Sequence, residues 1–501
     1  MMGTDEEHDR ASEIGQHMAR GALWMVAMRW VIRLIGLVNT AIIARMLLPE
    51  DFGLVALAMI AVDLAITLTD GDIDMALVRS SDTDRTLNDT GWTLKILCGF
   101  VTGAILFVSA PWVSDFFSDQ RLTTIIYIAA CKPMILGFEN IGVIEFRRTL
   151  HFSDEFRYMV AQRLGSFVLC LALVFFFRNY IALALAGPTA ALVTILLSYI
   201  VVTSRPRLSL KRWRELWDFS RWQMLFNASR LVGERCDQLV IGQMSGFGNT
   251  GLYAVGFDLA MMPTREIMLP AGRALMPTYA KIAHDPAELK AAFVIVLGFA
   301  ALIASSIGVG MSCIAEDAVL VLLGGQWREA VPFVRWLGLF GALEGVWLML
   351  DPYLIAARHE RTLALANLTF AIIMIPALAL TASQFGIAVI PVCRIAVMAA
   401  CLGAVLARLV AWRWISPGRL IGVVWRPIVA AAVMAMVIHL THLDAFPIPF
   451  VSLLHDVIIG ALVYLATLLL LWRAAGLPDG IERIMIDIAV AKLPFAARRR
   501  H

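Results

Sequence analysis

Residues 39–65 read NTAIIARMLLPEDFGLVALAMIAVDLA: an apolar run, a short polar turn at Pro49-Glu50-Asp51, and a second apolar run. With the residues before it, the first run covers 21–47, and the second covers 53–69. Each approaches the roughly 20 residues that a helix rising 1.5 Å per residue needs to cross a ~30 Å hydrocarbon core. Comparable runs follow at 92–110, 122–145, 158–177, 181–203, 221–245, 251–279, 290–314, 331–356, 362–382, 386–411, 423–442 and 450–472, about fourteen in all. Of the 501 residues, 60% are hydrophobic and 16% charged, against about 45–50% and about 25% in soluble domains. Only helices and closed barrels satisfy every backbone group in hydrocarbon, and the alternating segments of about ten residues that barrel strands need are missing. The expectation is an all-α polytopic membrane protein.

The placement of charge says more than the formal net of +3. With the N-terminus inside, successive inner connectors carry Arg79 and Arg85; Arg147, Arg148 and Arg157; Arg205, Arg207, Lys211, Arg212 and Arg214; Lys281 and Lys290; Arg358 and Arg361; Arg413 and Arg419; and Arg473 with Arg498, Arg499 and Arg500. The opposite connectors hold only Arg121, Arg178 and Arg328. That alternation is the positive-inside pattern, and it predicts an inner-membrane protein with both termini cytosolic. The polar segment 1–20 shows no cleavable signal pattern and reads as a cytosolic tail. Two stretches mix Arg and Lys with apolar residues, SLKRWRELWDFSRW at 209–222 and the tail near GIERIMIDIAVAKLPFAARRR. Both read as interfacial amphipathic helices on the inner leaflet. The seven cysteines lie in or beside apolar runs with no C-x-x-C pair, and serve as small hydrophobes.

The opening stretch has a counterpart in CDQLVIGQMSGFGNTGLYAVGFDLA at 236–260. Aligning Gly53 with Gly251 sets Leu54-Val55-Ala56 over Leu252-Tyr253-Ala254, with Asp63 and Asp258 at comparable depth. Six spans before the repeat begins give both halves the same direction, a parallel repeat of the kind found in transporters. The predicted organisation is a tail at 1–20, an N-lobe of six spans at 21–203, and an amphipathic connector at 204–220. A C-lobe of six spans follows at 221–412, then spans 13 and 14 at 413–473 and an amphipathic tail at 474–501.

These residues resemble the polysaccharide-exporting branch of the multidrug/oligosaccharidyl-lipid/polysaccharide (MOP) exporter superfamily. The likeness is carried by ARMLLPEDFGLVALAM at 44–59, by CDQLVIGQMSGFGNTGLYAVGFDLAMMPTREI at 236–267 and by LMPTYAKI at 275–282. The resemblance implies a V-shaped pair of pseudo-symmetric six-helix lobes opening alternately to each side. It also implies an undecaprenyl-pyrophosphate-linked oligosaccharide as substrate, for exopolysaccharide, capsule or O-antigen synthesis. Polysaccharide polymerase and export machinery are then the candidate protein partners.

A charge at mid-membrane costs about 2.5–3.5 kcal/mol on insertion scales and so faces a cavity or a partner. Arg29 and Arg33 lie one helical turn apart in the first span, and Lys132 precedes Pro133 in the fourth. Together with Arg230 and Arg265 they are candidate contacts for a lipid pyrophosphate, since a guanidinium donates two parallel hydrogen bonds to phosphate. Arg33 paired with Asp63, and Arg230 paired with Glu234, are the structural alternatives. Asp63, Glu234, Asp237 and Asp258 are candidate sites of proton or Na⁺ uptake. Glu139, Asn140, Arg235, Glu266, Glu344, Asp351 and Arg394 add polarity in the spans, and His455-Asp456 could take a proton. DGDID at 70–74 reads as a solvated turn. No G-x-x-x-x-G-K-[ST] and no His/Cys cluster with metal spacing occurs, so no cofactor, metal or nucleic-acid partner is expected. The function expected is a secondary-active flippase. A small-molecule antiporter of the same superfamily, or a membrane polymerase or ligase, are the alternatives.

Overall fold

The computed structural model describes residues 29–70, 73–79, 85–148, 152–441, 448–478 and 480–483, and among them every regular element is helical. In chain order these are α1 (29–46), α2 (Pro49–Asp70), α3 (Ile73–Arg79), α4 (Arg85–Phe117), α5 (Arg121–Leu136), α6 (Ile144–Arg148), α7 (Phe152–Phe177) and α8 (Tyr180–Val201). Then come α9 (Trp213–Ile282), α10 (Pro286–Cys313), α11 (Ala315–Leu322), α12 (Val331–Ala356), α13 (Glu360–Phe385), α14 (Ile390–Ala411), α15 (Pro417–Thr441) and α16 (Pro449–Ala474). The chain divides into two compact units, Met1–Gly251 and Leu252–His501.

Ten of the described helices are long and apolar enough to cross a membrane. The expected spans at 21–47, 122–145, 221–245 and 251–279 fall outside these ten, for separate reasons. The start of α1 lies outside the described residues, and α5 is only 16 residues long, ending at Gly137. The other two are the halves of α9, which joins two helices at Gly246 (φ 78°) and carries many charges. The connector SGFGNT is therefore reduced to one non-helical residue, with Thr250 Oγ1 donating to the Gly246 carbonyl at 3.0 Å. The turn between α7 and α8 is Arg178-Asn179, where the Asn179 side chain caps α8 by accepting from the Ile181 N–H.

The connector before α9 corrects one expectation. Residues 202–210 have no regular secondary structure, and the helix expected in this connector begins only at Trp213. Side chains at the start of α4 supply the partners the connector's backbone lacks: Asp89 accepts from the Arg207 N–H at 3.0 Å and Thr93 from the Ser209 N–H at 2.9 Å. Asn140 donates to the Ser204 carbonyl at 2.8 Å. The last acid of DGDID is likewise no solvated turn residue, because Asp74 opens α3 and pairs with Lys95 of α4 at 3.0 Å.

Within the first unit, the two glycines aligned in the sequence repeat meet each other. A Cβ on Gly53 would stand 1.8 Å from the Phe247 carbonyl oxygen, and one on Gly251 would stand 1.8 Å from the Pro49 carbonyl oxygen. Each would also lie within 2.9 Å of the other glycine's backbone nitrogen. The obstructing atoms are backbone, four residues before the opposing glycine in both cases, so no rotamer change makes room. Around this crossing Leu54, Leu57, Ala58 and Val62 of α2 bury against Leu106, Ile125 and Ala129 of α4 and α5.

In the second unit the chain after α16 turns back onto the bundle. Trp472 Nε1 donates to the Pro478 carbonyl at 3.1 Å, and Ile481 joins the core of Leu302, Met434 and Tyr464. Arg426 of α15 meets Glu482 at 3.2 Å, with both side chains at most 5% exposed. The rest of the expected tail helix, beyond Arg483, lies outside the described residues.

Two outcomes follow for the detergent-solubilised protein. Gly53→Ala and Gly251→Ala each lower stability by about 1–3 kcal/mol through overpacking, measured as a lower denaturation midpoint, whereas Gly403→Ala, with open space around it, leaves it unchanged. Glu482→Gln strands a buried guanidinium and costs about 3–5 kcal/mol, while the apolar pair Arg426→Met/Glu482→Leu recovers most of that loss.

Candidate functional site

The first unit gathers charge at membrane depth on five helices. Asp63 lies fourteen residues into α2, half-buried, where the fields of Lys132 of α5 and Arg235 of α9 both reach it. Lys132 runs along Gly187 of α8, its Cδ 3.4 Å from the place a Cβ would take. Pro133 follows it inside the helix, and the Pro133 carbonyl approaches Gly99 so closely that a side chain there would collide. Arg29 and Arg33 are half-buried on α1. The Arg163 guanidinium of α7 lies over Gly36, one turn from Arg33, and fills the space left by the missing Cβ.

The other candidates of this unit have local partners. Arg230 and Glu234 approach to 3.5 Å along α9, with 61% of the Arg230 side chain exposed. Asp237 is fully buried and accepts from the Gln238 N–H at 2.9 Å. Glu139 accepts from the Tyr158 hydroxyl at 2.9 Å and faces Lys95 at 3.6 Å. Asn140 caps the short 3-10 turn Ile141–Val143 through the Gly142 N–H.

The second unit holds a separate constellation. Arg265 donates through Nε and Nη2 to the Glu344 carboxylate, and its guanidinium sits 5.3 Å from the Phe257 ring centre. Arg394 of α14 is 1% exposed and lies between Phe257, at 5.0 Å, and Phe340, at 4.7 Å. Ring faces carry the negative end of the aromatic quadrupole and so attract a desolvated guanidinium. Asp258, in contrast, is exposed. The pair Arg265–Glu344 joins residues 79 apart in sequence.

The arginines on the Arg-poor connectors serve the fold. Arg121 pairs with Asp119 at 2.7 Å and with Glu50 at 2.8 Å, and Asp51 accepts from the Tyr180 N–H at 2.9 Å. The hydrogen bond from Arg121 holds the Asp119 carboxyl below its ordinary range. Arg328 pairs with Glu316 at 2.8 Å, and Arg178 lies 5.5 Å from the Phe175 ring centre.

Sequence reasoning missed Lys95, Arg163 and Arg426. Arg163 could have been found by the rule that singled out Arg33, since it interrupts the apolar run 158–177. Among the described residues no cluster of three or more His, Cys, Asp or Glu could hold a metal.

Two helical units built from membrane-length helices, with ion pairs among them, define a polytopic α-helical membrane protein. Its fold is shared with the solved structure "Lipid II flippase MurJ, inward closed conformation" (TM-score 0.74, 12% identity), covering 91% of this chain and 99% of that one. A MATE multidrug resistance transporter of the MOP superfamily matches at a TM-score of 0.55 and 13% identity, over 79% of this chain and 96% of that one. The chain belongs to the family described as "Polysaccharide biosynthesis protein", whose model matches residues 42–332. Among curated relatives, the succinoglycan biosynthesis transport protein ExoT of Rhizobium meliloti (strain 1021) is 26% identical over 92% of this chain and 93% of its own. The lipopolysaccharide biosynthesis protein WzxC of Escherichia coli (strain K12) is 22% identical over 65% of this chain and 67% of its own.

If Arg265 and Glu344 act as one unit, a double-mutant cycle of Arg265→Gln and Glu344→Gln on thermal stability is non-additive by about 0.5–3 kcal/mol. Additive losses would mean that the two contribute separately.

Proposed function

We propose that the chain is a secondary-active flippase. It carries undecaprenyl-pyrophosphate-linked oligosaccharide from the cytosolic to the periplasmic leaflet for exopolysaccharide, capsule or O-antigen synthesis. The observation that carries this reading is the set of cations on the first unit's membrane helices, Arg29, Arg33, Lys132, Arg163 and Arg235, with one acid, Asp63, within reach of two of them. A pyrophosphate leaving water needs several charge-assisted hydrogen bonds at once, and an arginine-rich helix surface supplies them. The relatives named for succinoglycan transport and lipopolysaccharide biosynthesis, and the fold shared with a lipid II flippase, support the same cargo class.

In this reading Arg29, Arg33 and Lys132 meet the pyrophosphate, the sugar passes through a polar path, and the isoprenoid tail stays in the bilayer. Asp63 is the first choice for proton or Na⁺ coupling, because substrate phosphate and Asp63 compete for the same Lys132 and Arg235. Binding of one favours protonation of the other. Glu234, Asp237 and Asp258 are the further coupling candidates. Arg230 and Arg265, each facing a glutamate, would have to exchange partners to meet substrate. The topology proposed is an inner-membrane protein with both termini cytosolic, from the positive-inside pattern.

Proteoliposomes holding the purified protein and a labelled undecaprenyl-pyrophosphate oligosaccharide test this directly. Each lost charge-assisted hydrogen bond is worth about 1.5–3 kcal/mol, so Arg33→Gln/Lys132→Gln lowers the translocation rate at least about tenfold. Full translocation by that variant, folded and inserted, would overturn the site. A wild-type protein that leaves the lipid in place but exchanges small cations would establish the antiporter alternative. Polymer formed by the protein alone would establish the enzymatic one.

A further inference from the structure

The second unit holds a groove of about 280 Å³ between α13 and α14 that the transport reading does not use. It exists because alanines face one another there: Ala366 on α13 opposes Ala400 and Ala404 on α14, leaving a slot where longer side chains would close the seam. On α13 the slot runs from Thr362 to Ile373, a rise of about 16 Å at 1.5 Å per residue. That is close to half of a ~30 Å hydrocarbon core, the depth of one leaflet. Its flanks face hydrocarbon, since Leu365 is 57% and Ile372 62% exposed.

One end of the slot is cationic. Arg408 closes it beside Thr362, and Arg358, Arg361 and Arg413, at or next to the helix ends, belong to the same basic end. The Arg408 guanidinium lies 4.9 Å from the centre of the Trp412 ring, which is itself stacked on His359 at 4.6 Å and 24°. Stacking occupies the face of the guanidinium and leaves its N–H edge for an acceptor. Among the described residues no carboxylate pairs with Arg408.

We infer that this groove is a binding site for an anionic phospholipid of the leaflet at the basic end, the cytosolic one by the positive-inside pattern. One acyl chain lies along the alanine slot, and the phosphate accepts hydrogen bonds from Arg408 and the Thr362 hydroxyl. A slot one leaflet deep that ends in a pre-oriented guanidinium matches the distance between a lipid's phosphate and its terminal methyl. Basic sites between helices at the inner leaflet draw anionic headgroups by the same electrostatics.

The test uses the full chain, delipidated in detergent, titrated with phosphatidylglycerol or with phosphatidylcholine of identical acyl chains. Native mass spectrometry and thermal denaturation read the binding. The expected result is phosphatidylglycerol binding at about tenfold lower concentration, a difference of about 1.4 kcal/mol. Arg408→Gln removes the preference, Arg408→Lys keeps part of it, and Ala404→Phe fills the slot and weakens both lipids with the charge intact. Equal binding of the two lipids by wild type would overturn the proposal, as would a preference that survives Arg408→Gln. Stabilisation of the same size by inorganic phosphate alone would also overturn it, because the slot would then contribute nothing. None of these readouts depends on translocation, so the flippase proposal and this one fail separately.

Discussion

An ionised side chain taken out of water loses several kcal/mol of solvation, and hydrocarbon returns none of it. This protein meets that constraint in three distinct ways. Arg265–Glu344 and Arg426–Glu482 are opposed charges at ion-pair distance. Lys95 is shared between two carboxylates, Asp74 and Glu139, the second also bonded by Tyr158. Arg394 is set between two phenylalanine rings. Such devices fix helix registers, because a pair displaced by one turn leaves two uncompensated charges instead of none. The first unit differs at Asp63, where one half-buried acid answers two cations.

The same economy governs the backbone. Helices in a bilayer gain nothing from burying apolar side chains that lipid would solvate equally well, so close approach and dispersion contacts carry the association. At Gly53 and Gly251 the approach reaches its limit, with backbone against backbone on both sides. Gly308 and Gly338 repeat the device in the second unit, each facing the other's helix backbone within 3 Å. A side chain at any of these positions would separate the helices along their whole contact, which makes the effect of one methyl group larger than its volume.

What could be read from the residues follows from which signals are local. Gly53 and Gly251 stood out because they sit in matching apolar contexts, and the structure brings the two glycines into contact. The helical class and the separate α7 and α8 were likewise local readings, whereas Pro49-Glu50-Asp51, read as a turn between spans, forms the first turn of α2. Arg426 was missed because it lies at the start of an apolar run, where an arginine reads as a headgroup contact. Its partner Glu482 stood in a segment read as a surface helix, and a pair so far apart in sequence has no local signature. The connector 202–210 misled for a related reason. The mix of Arg, Lys and apolar residues that follows suits a helix on a membrane, and helix does form from Trp213, but the acceptors Asp89 and Thr93 that hold the preceding residues sit more than a hundred residues earlier.

Arg33, Lys132 and Arg163 show where local reading stops and chemistry takes over. Residue type and depth mark all three as costly, yet depth alone does not distinguish a charge that holds the fold from one that holds a ligand. The distinction lies in what each costs when its partner leaves. Arg426 without Glu482 has nothing to turn to, because both groups are buried and its Nε has no hydrogen-bond acceptor among the described residues. Lys132 is half-buried, has a long flexible stem lying along the glycine at 187, and acts on Asp63 together with Arg235. It can change partners without stranding a charge. A group that can exchange an internal carboxylate for an external phosphate at small cost is suited to a transport cycle, since tight binding in any one state would slow release into the next.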